Sequence, residues 1–138
     1  MAADGHRVLV TGAPAERHLT RAVAGTAAVD LGGRTSLPEL AAVLSGARAV
    51  VAPDTGPAHL AAAAGTPVVS LFAPVVPSAR WAPYGVPAVV LGDQHAPCRD
   101  SRARVCPVPG HPCLEEIDPA DVCRAVTTLI QPAAISQR

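Results

Sequence analysis

A parallel α/β sheet flanked by helices, Rossmann-like in its alternation, is the fold class this sequence predicts, and three observations carry it. Short β-branched runs alternate with stretches of helical length, the pattern of strand–helix–strand units with right-handed crossovers. The segment from Val50 to Phe72 reads as strand, tight turn, helix and strand, with its polar groups confined to the turn. The chain has 138 residues, which suits one compact domain, since domains commonly hold about 100 to 150 residues.

The elements follow in order. Arg7 to Val10 is the first strand, and Glu16 to Ala24 is the helix after it. Ala27 to Leu31 is a second, weaker strand, followed by a helix over Leu37 to Leu44. Ala49 to Ala52 and Pro67 to Leu71 are strands on either side of a helix over Pro57 to Ala64, where Pro57 suits a first-turn position because the N–H it lacks would be unpaired there. From residue 72 to about 118 the density of Pro, Gly and Cys predicts a long irregular excursion holding one short strand, Ala88 to Leu91. Pro119 to Ile130 is the closing helix.

Composition narrows the function classes. Net charge is zero with His neutral, and all eleven basic residues are arginines scattered along the chain. No basic stripe for nucleic acid is present, and no basic amphipathic helix for a membrane surface. The apolar runs are too short and too broken by Pro and Gly for a transmembrane helix, and no signal-peptide core is visible at the start, so the expected location is the cytoplasm.

Open parallel sheets bind ligands at the carboxyl ends of their strands. The strand-to-helix junctions are expected to set Gly12 to Glu16, Asp30 to Ser36 and Asp54 to His59 along one edge, where a single nucleotide touches all three. At the last of these, the free N–H groups and positive dipole end of a helix sit beside Thr55, Gly56 and His59, an arrangement suited to a diphosphate. Glu16, a carboxylate one turn past Gly12, suits ribose hydroxyls. Asp54 has two readings: a turn-former accepting backbone N–H groups, or a contact to sugar hydroxyls, since a carboxylate beside a diphosphate repels it. His59 is either a structural first-turn residue or a contact to the leaving group.

Four cysteines, Cys98, Cys106, Cys113 and Cys123, lie near His111 without the Cys-x-x-Cys spacing of a common zinc site. Reduced structural thiols are the plain reading; a metal held by Cys98, Cys106, Cys113 and His111, or disulfide pairing, are the others. Arg80, Trp81 and Tyr84 either flank a bound sugar or an interdomain cleft, or simply pack.

Five segments in the same order resemble glycosyltransferase family 9, the ADP-heptose:lipopolysaccharide heptosyltransferases and their relatives. They are Val8 to Glu16, Leu31 to Leu40 with its Gly-Arg-Thr-Ser-Leu-Pro-Glu-Leu run, Asp54-Thr55-Gly56 with His59, the loop Phe72-Ala73-Pro74 through Arg80-Trp81-Ala82-Pro83, and Cys106-Pro107 through His111 to Cys113-Leu114. Ala73 stands where the family usually has Gly. The resemblance implies one half of a GT-B fold that binds a nucleotide-sugar donor such as ADP-heptose. It implies that Asp54, Thr55, Gly56 and His59 line the diphosphate and sugar, with Thr55 and His59 stabilising the leaving group, and that Gly12, Glu16, Thr35 and Ser36 lie by the nucleoside. It further implies inverting transfer to a glycan hydroxyl with no metal and no cofactor, the general base lying on an N-terminal acceptor-binding domain or subunit outside this chain. The alternative is a non-catalytic nucleotide-binding or regulatory module derived from such an enzyme. Without the acceptor half, the face near Phe72 to Tyr84 is expected to favour self-association.

Overall fold

The computed structural model describes residues 1–131, and these form parallel sheets flanked by helices. They group into two compact units, one from Met1 to Val43 and one from Leu44 onward.

In the first unit, β1 (Leu9–Val10) and β2 (Val29–Asp30) pair in parallel, Leu9 opposite Val29 and Val10 opposite Asp30. Both strands are shorter than the β-branched runs suggest, because only two residues of each enter the ladder. Between them a single 3₁₀ turn, Pro14–Glu16, leads into α1 (Arg17–Ala24), which packs on both strands and buries Thr20 and Ala24. The helix α2 (Leu37–Ser45) follows β2.

In the second unit, β3 (Val50–Pro53), β4 (Val68–Leu71) and β5 (Ala88–Leu91) form a parallel sheet with β4 in the middle. Its register sets Val50 opposite Val68 and Val68 opposite Ala88. Consecutive strand residues point to opposite faces, yet Val68, Val69 and Ser70 are all inaccessible, so both faces of β4 are covered. The helices in contact with this sheet are α3 (Gly56–Ala63), through the fully buried Ala58 and Ala61, and the C-terminal helix (Pro119–Ile130), through Ala125 and Val126. Small alanines on these helix faces allow close approach to the branched strand residues. The buried Thr66 hydroxyl donates to the Leu44 carbonyl at 2.8 Å, tying the turn before β4 to the end of α2.

Between β4 and the C-terminal helix the backbone is largely irregular, as its Pro and Gly content predicts, with β5 at the expected residues. It also holds two one-turn helices, α4 (Ser78–Trp81) and α5 (Pro112–Glu115), so the C-terminal helix is α6. Asp118 caps α6, accepting the Ala120 N–H at 2.7 Å, and Arg48 donates to the Ile130 carbonyl at its far end. Among the described residues no helix is long and apolar enough to cross a membrane.

Candidate functional site

The turn between β3 and α3 is built by its sequence. Pro53 ends the strand, Thr55 takes an extended conformation at the N-cap position, and Pro57 occupies the first turn of the helix. The helix begins at Gly56, one residue earlier than the proline alone suggests. The Thr55 side chain does not cap it; its hydroxyl leans back to the Pro53 carbonyl at 3.4 Å. The N–H groups of Thr55 and Gly56 therefore meet no backbone acceptor among the described residues. Orphan donors of this kind at a helix start attract anions. A Cβ built on Gly56 meets nothing within 4 Å, so the backbone here borders open space.

Asp54 and His59 belong to the same turn. His59 Nε2 lies 3.7 Å from Asp54 Oδ1, with the imidazole about half exposed and the carboxylate mostly covered. Burial pushes the Asp54 carboxyl above the usual carboxylate range, and the nearby His59 opposes the shift. The sign follows from proton counting: the folded form holds its proton to higher pH than the unfolded chain, so stability falls as pH rises through this window. Asp54→Asn is therefore expected to leave the melting temperature at pH 7 unchanged or higher, and to lose that advantage as the pH drops below the carboxylate range. A clear drop in melting temperature at pH 7 would assign Asp54 a structural bond instead. Four of the expected site residues, Asp54, Thr55, Gly56 and His59, thus share one turn.

The other four lie in the first unit. Gly12 follows β1, where its carbonyl accepts the Gly33 N–H at 2.8 Å and a Cβ would come within 2.6 Å of Thr20 Cγ2. Gly12 is small because α1 passes close. Glu16 folds back so that Oε2 accepts the Ala13 N–H at 2.7 Å, closing the 3₁₀ turn with an exposed carboxylate. After β2, Asp30 Oδ1 accepts the Gly32 N–H at 2.9 Å, and this bond, with a second from Thr20, holds the Asp30 carboxyl below its ordinary range. Gly33 takes a left-handed conformation, φ 62°, and Arg17 donates to its carbonyl. Thr35 is partly exposed at the end of this loop.

Ser36 has a local task that its spacing to Glu39 announces. The two form a reciprocal capping box at the start of α2: the Ser36 N–H and hydroxyl both donate to Glu39 Oε2 at 2.7 Å, and the Glu39 N–H reaches Ser36 Oγ at 3.4 Å. These bonds, the hydroxyl first, lower the Glu39 carboxyl below its usual range. A depressed carboxyl contributes stability above its unfolded pKa, and that contribution is lost as pH falls through the folded value. Ser36→Ala is expected to cost about 1 kcal/mol at pH 7, the usual effect of losing a serine cap. Melting curves should show the gap from wild type closing in acid as Glu39 protonates. A gap that persists unchanged at pH 2 to 3 would contradict the assignment.

None of the four cysteines is in a disulfide. Cys98 and Cys113 are buried together with Ala96, and Ala73, Val75 and Val108 pack against them. Burial, with Cys98 and Cys106 nearby, pushes the Cys113 thiol up, and Cys106 Sγ contacts the Val108 carbonyl at 3.2 Å. No group of three potential metal ligands is arranged around one point among the described residues. Trp81 and Tyr84 are exposed, whereas Phe72 and Pro74 on the same segment are fully buried.

Comparison with known proteins places these features in context. A family model described as glycosyltransferase family 9 (heptosyltransferase) matches residues 1–111. Lipopolysaccharide heptosyltransferase 1 of Pseudomonas aeruginosa is 44% identical over 96 residues, which is 69% of this chain and 26% of the relative. Lipopolysaccharide heptosyltransferase 3 of Escherichia coli is 35% identical over 103 residues, 72% of this chain and 28% of the relative. Among solved structures, a glycosyl transferase family 9 protein from Veillonella parvula superposes with a TM-score of 0.81 at 23% identity, covering 94% of this chain and 38% of its own. ADP-heptose lps heptosyltransferase II of E. coli gives 0.72 at 22% identity, covering 93% and 37%. The chain thus spans about a quarter of the length of the curated relatives it matches.

Proposed function

The chain belongs to glycosyltransferase family 9, the heptosyltransferase family, and from that premise we propose that it binds the nucleotide-sugar donor of an inverting, metal-independent glycosyl transfer. The observation that carries the proposal is the start of α3, where two unpartnered N–H groups, an open glycine face and His59 occur together. The donor's diphosphate sits there, its leaving charge stabilised by the helix amides, the Thr55 hydroxyl and His59. Gly12, Glu16, Thr35 and Ser36 serve the nucleoside. The Ser36 hydroxyl and N–H are committed to Glu39 and its carbonyl accepts the Leu40 N–H, so the second lone pair of that carbonyl is what Ser36 offers a ligand. ADP-heptose is the first donor to test, because two of the similar proteins are named for heptosyl transfer to lipopolysaccharide and one for ADP-heptose.

Inversion at the anomeric carbon needs a base on the side of the sugar opposite the leaving group. We assign that base to an acceptor-binding domain or subunit beyond residues 1–138, in keeping with the share of the relatives that this chain covers. Calorimetry with ADP, in the presence and absence of chelator, tests the donor reading. Equal affinity in both is expected, because the helix terminus supplies positive potential without a metal. Binding that appears only when Mg²⁺ is added would overturn it.

A further inference from the structure

A groove open to solvent lies in the second unit, formed by the segment after β4 and the loop before α5. It offers about 430 Å³ and is lined by Val75, Pro77, Arg80, Trp81, Arg102 and Ala103 among others. That volume falls in the range of small-molecule sites, roughly 300 to 1,000 Å³. Two backbone bonds hold its walls together: Asp100 N–H donates to the Pro74 carbonyl and Arg102 N–H to the Val75 carbonyl, both at 2.8 Å. Asp100 and Arg102 reach these bonds only in left-handed conformations, φ 57° and 54°. Such conformations cost energy in residues with side chains and gather where a loop is held for a purpose. The single turn of α4 adds Arg80 and Trp81 to the lining.

The chemistry of the lining is specific. Neither Arg80 nor Arg102 has an ion-pair partner among the described residues, whereas Arg99 and Arg124 each face an aspartate. Two uncommitted guanidinium groups offer planar forks for an oxyanion, either phosphate or carboxylate. Trp81 is 53% exposed beside them, an apolar ring face of the kind that stacks on a sugar. We infer that this groove binds an anionic saccharide, its oxyanion between Arg80 and Arg102 and its ring against Trp81. The site uses none of the residues assigned to the donor, so it stands or falls separately from that reading.

Trp81 is the single tryptophan of the chain, so its emission reports on this groove directly. The full chain is titrated with glucose 6-phosphate, glucuronate, glucose and inorganic phosphate, following tryptophan fluorescence and, in parallel, calorimetric heats. A saturable shift with glucose 6-phosphate, glucuronate or both is expected, at least tenfold stronger than with glucose or phosphate alone. The two arms tell whether the oxyanion is a phosphate or a carboxylate. Arg80→Gln is expected to weaken the response at least tenfold. Arg102→Gly should do the same while relaxing the backbone at that φ, which separates loss of the guanidinium from loss of the loop. No saturable response, or equal responses to glucose and glucose 6-phosphate, would overturn the inference. So would a response that survives both substitutions, and one matched by inorganic phosphate would remove the saccharide from it.

Discussion

Residues 1–138 mixed with ADP-heptose and a lipopolysaccharide-core acceptor are expected to give no sugar transfer above background, although slow hydrolysis of the donor is compatible with the site. The reason lies in positioning. Holding an acceptor hydroxyl and its base against the anomeric carbon can contribute about 7 to 11 kcal/mol of barrier lowering, and the proposed site supplies only the leaving-group side of that arrangement. Adding an acceptor-binding domain from a matching family 9 enzyme is expected to restore transfer. Turnover by the 138-residue chain alone would sink the assignment and place the base within it. Asp54, His59 and Glu16 would then be the carboxylate and imidazole candidates to replace in turn, and Asp54, whose carboxyl burial already raises, would be the first of them.

The second large effect is expected at Gly56. Replacing it with leucine should weaken ADP binding by about 10- to 100-fold, the range that loss of one or two hydrogen bonds to a charged group implies. Folding should be nearly untouched, because a Cβ built there points into open space. Calorimetry and a melting curve on the same sample separate the two quantities. Unchanged affinity would move the diphosphate away from the start of α3. A collapse in melting temperature would show that Gly56 serves the fold instead.

Much of this was legible in the residue pattern, for reasons that can be stated element by element. The runs at Val50 to Pro53 and Val68 to Leu71 announce strands because branched apolar residues sit between Gly- and Pro-containing turns, and the structure pairs them in parallel as the intervening helix requires. The α3 boundary is legible to within one residue, since Pro57 fixes it locally. The helices α4 and α5 are not legible, because four residues make barely one turn and show no periodicity. Ser36 illustrates a signal read for one purpose that also serves another: Ser-Leu-Pro-Glu is a capping-box pattern, and its side chains are engaged in the cap. The grouping of Cys98 and Cys113 in one buried cluster depends on how a long loop closes on itself, which spacing along the chain does not encode. The groove beside Trp81 has the same origin, since its two arginines belong to segments distant in sequence that backbone bonds at Pro74 and Val75 join.

The contacts around Thr20 restrict the order in which this protein can change. A methyl group added at Gly12 would run into the Thr20 methyl, and one added at Gly32 would run into the Thr20 hydroxyl and Cβ. The same side chain is buried and bonds to Asp30, so it has little room to retreat. Neither glycine can be enlarged first without a clash. Shortening Thr20 to alanine frees the space a methyl group needs at Gly12 but not at Gly32, where the added carbon would still lie 2.9 Å from Cβ of residue 20 and 3.0 Å from Asp30 Oδ1. Positions 12 and 20 therefore form an epistatic pair in which enlargement at 12 follows reduction at 20, while position 32 stays closed after that step. A library that varies Gly12, Thr20 and Gly32 together should recover folded variants enriched in small residues at position 20, while libraries that vary either glycine alone should return almost only glycine.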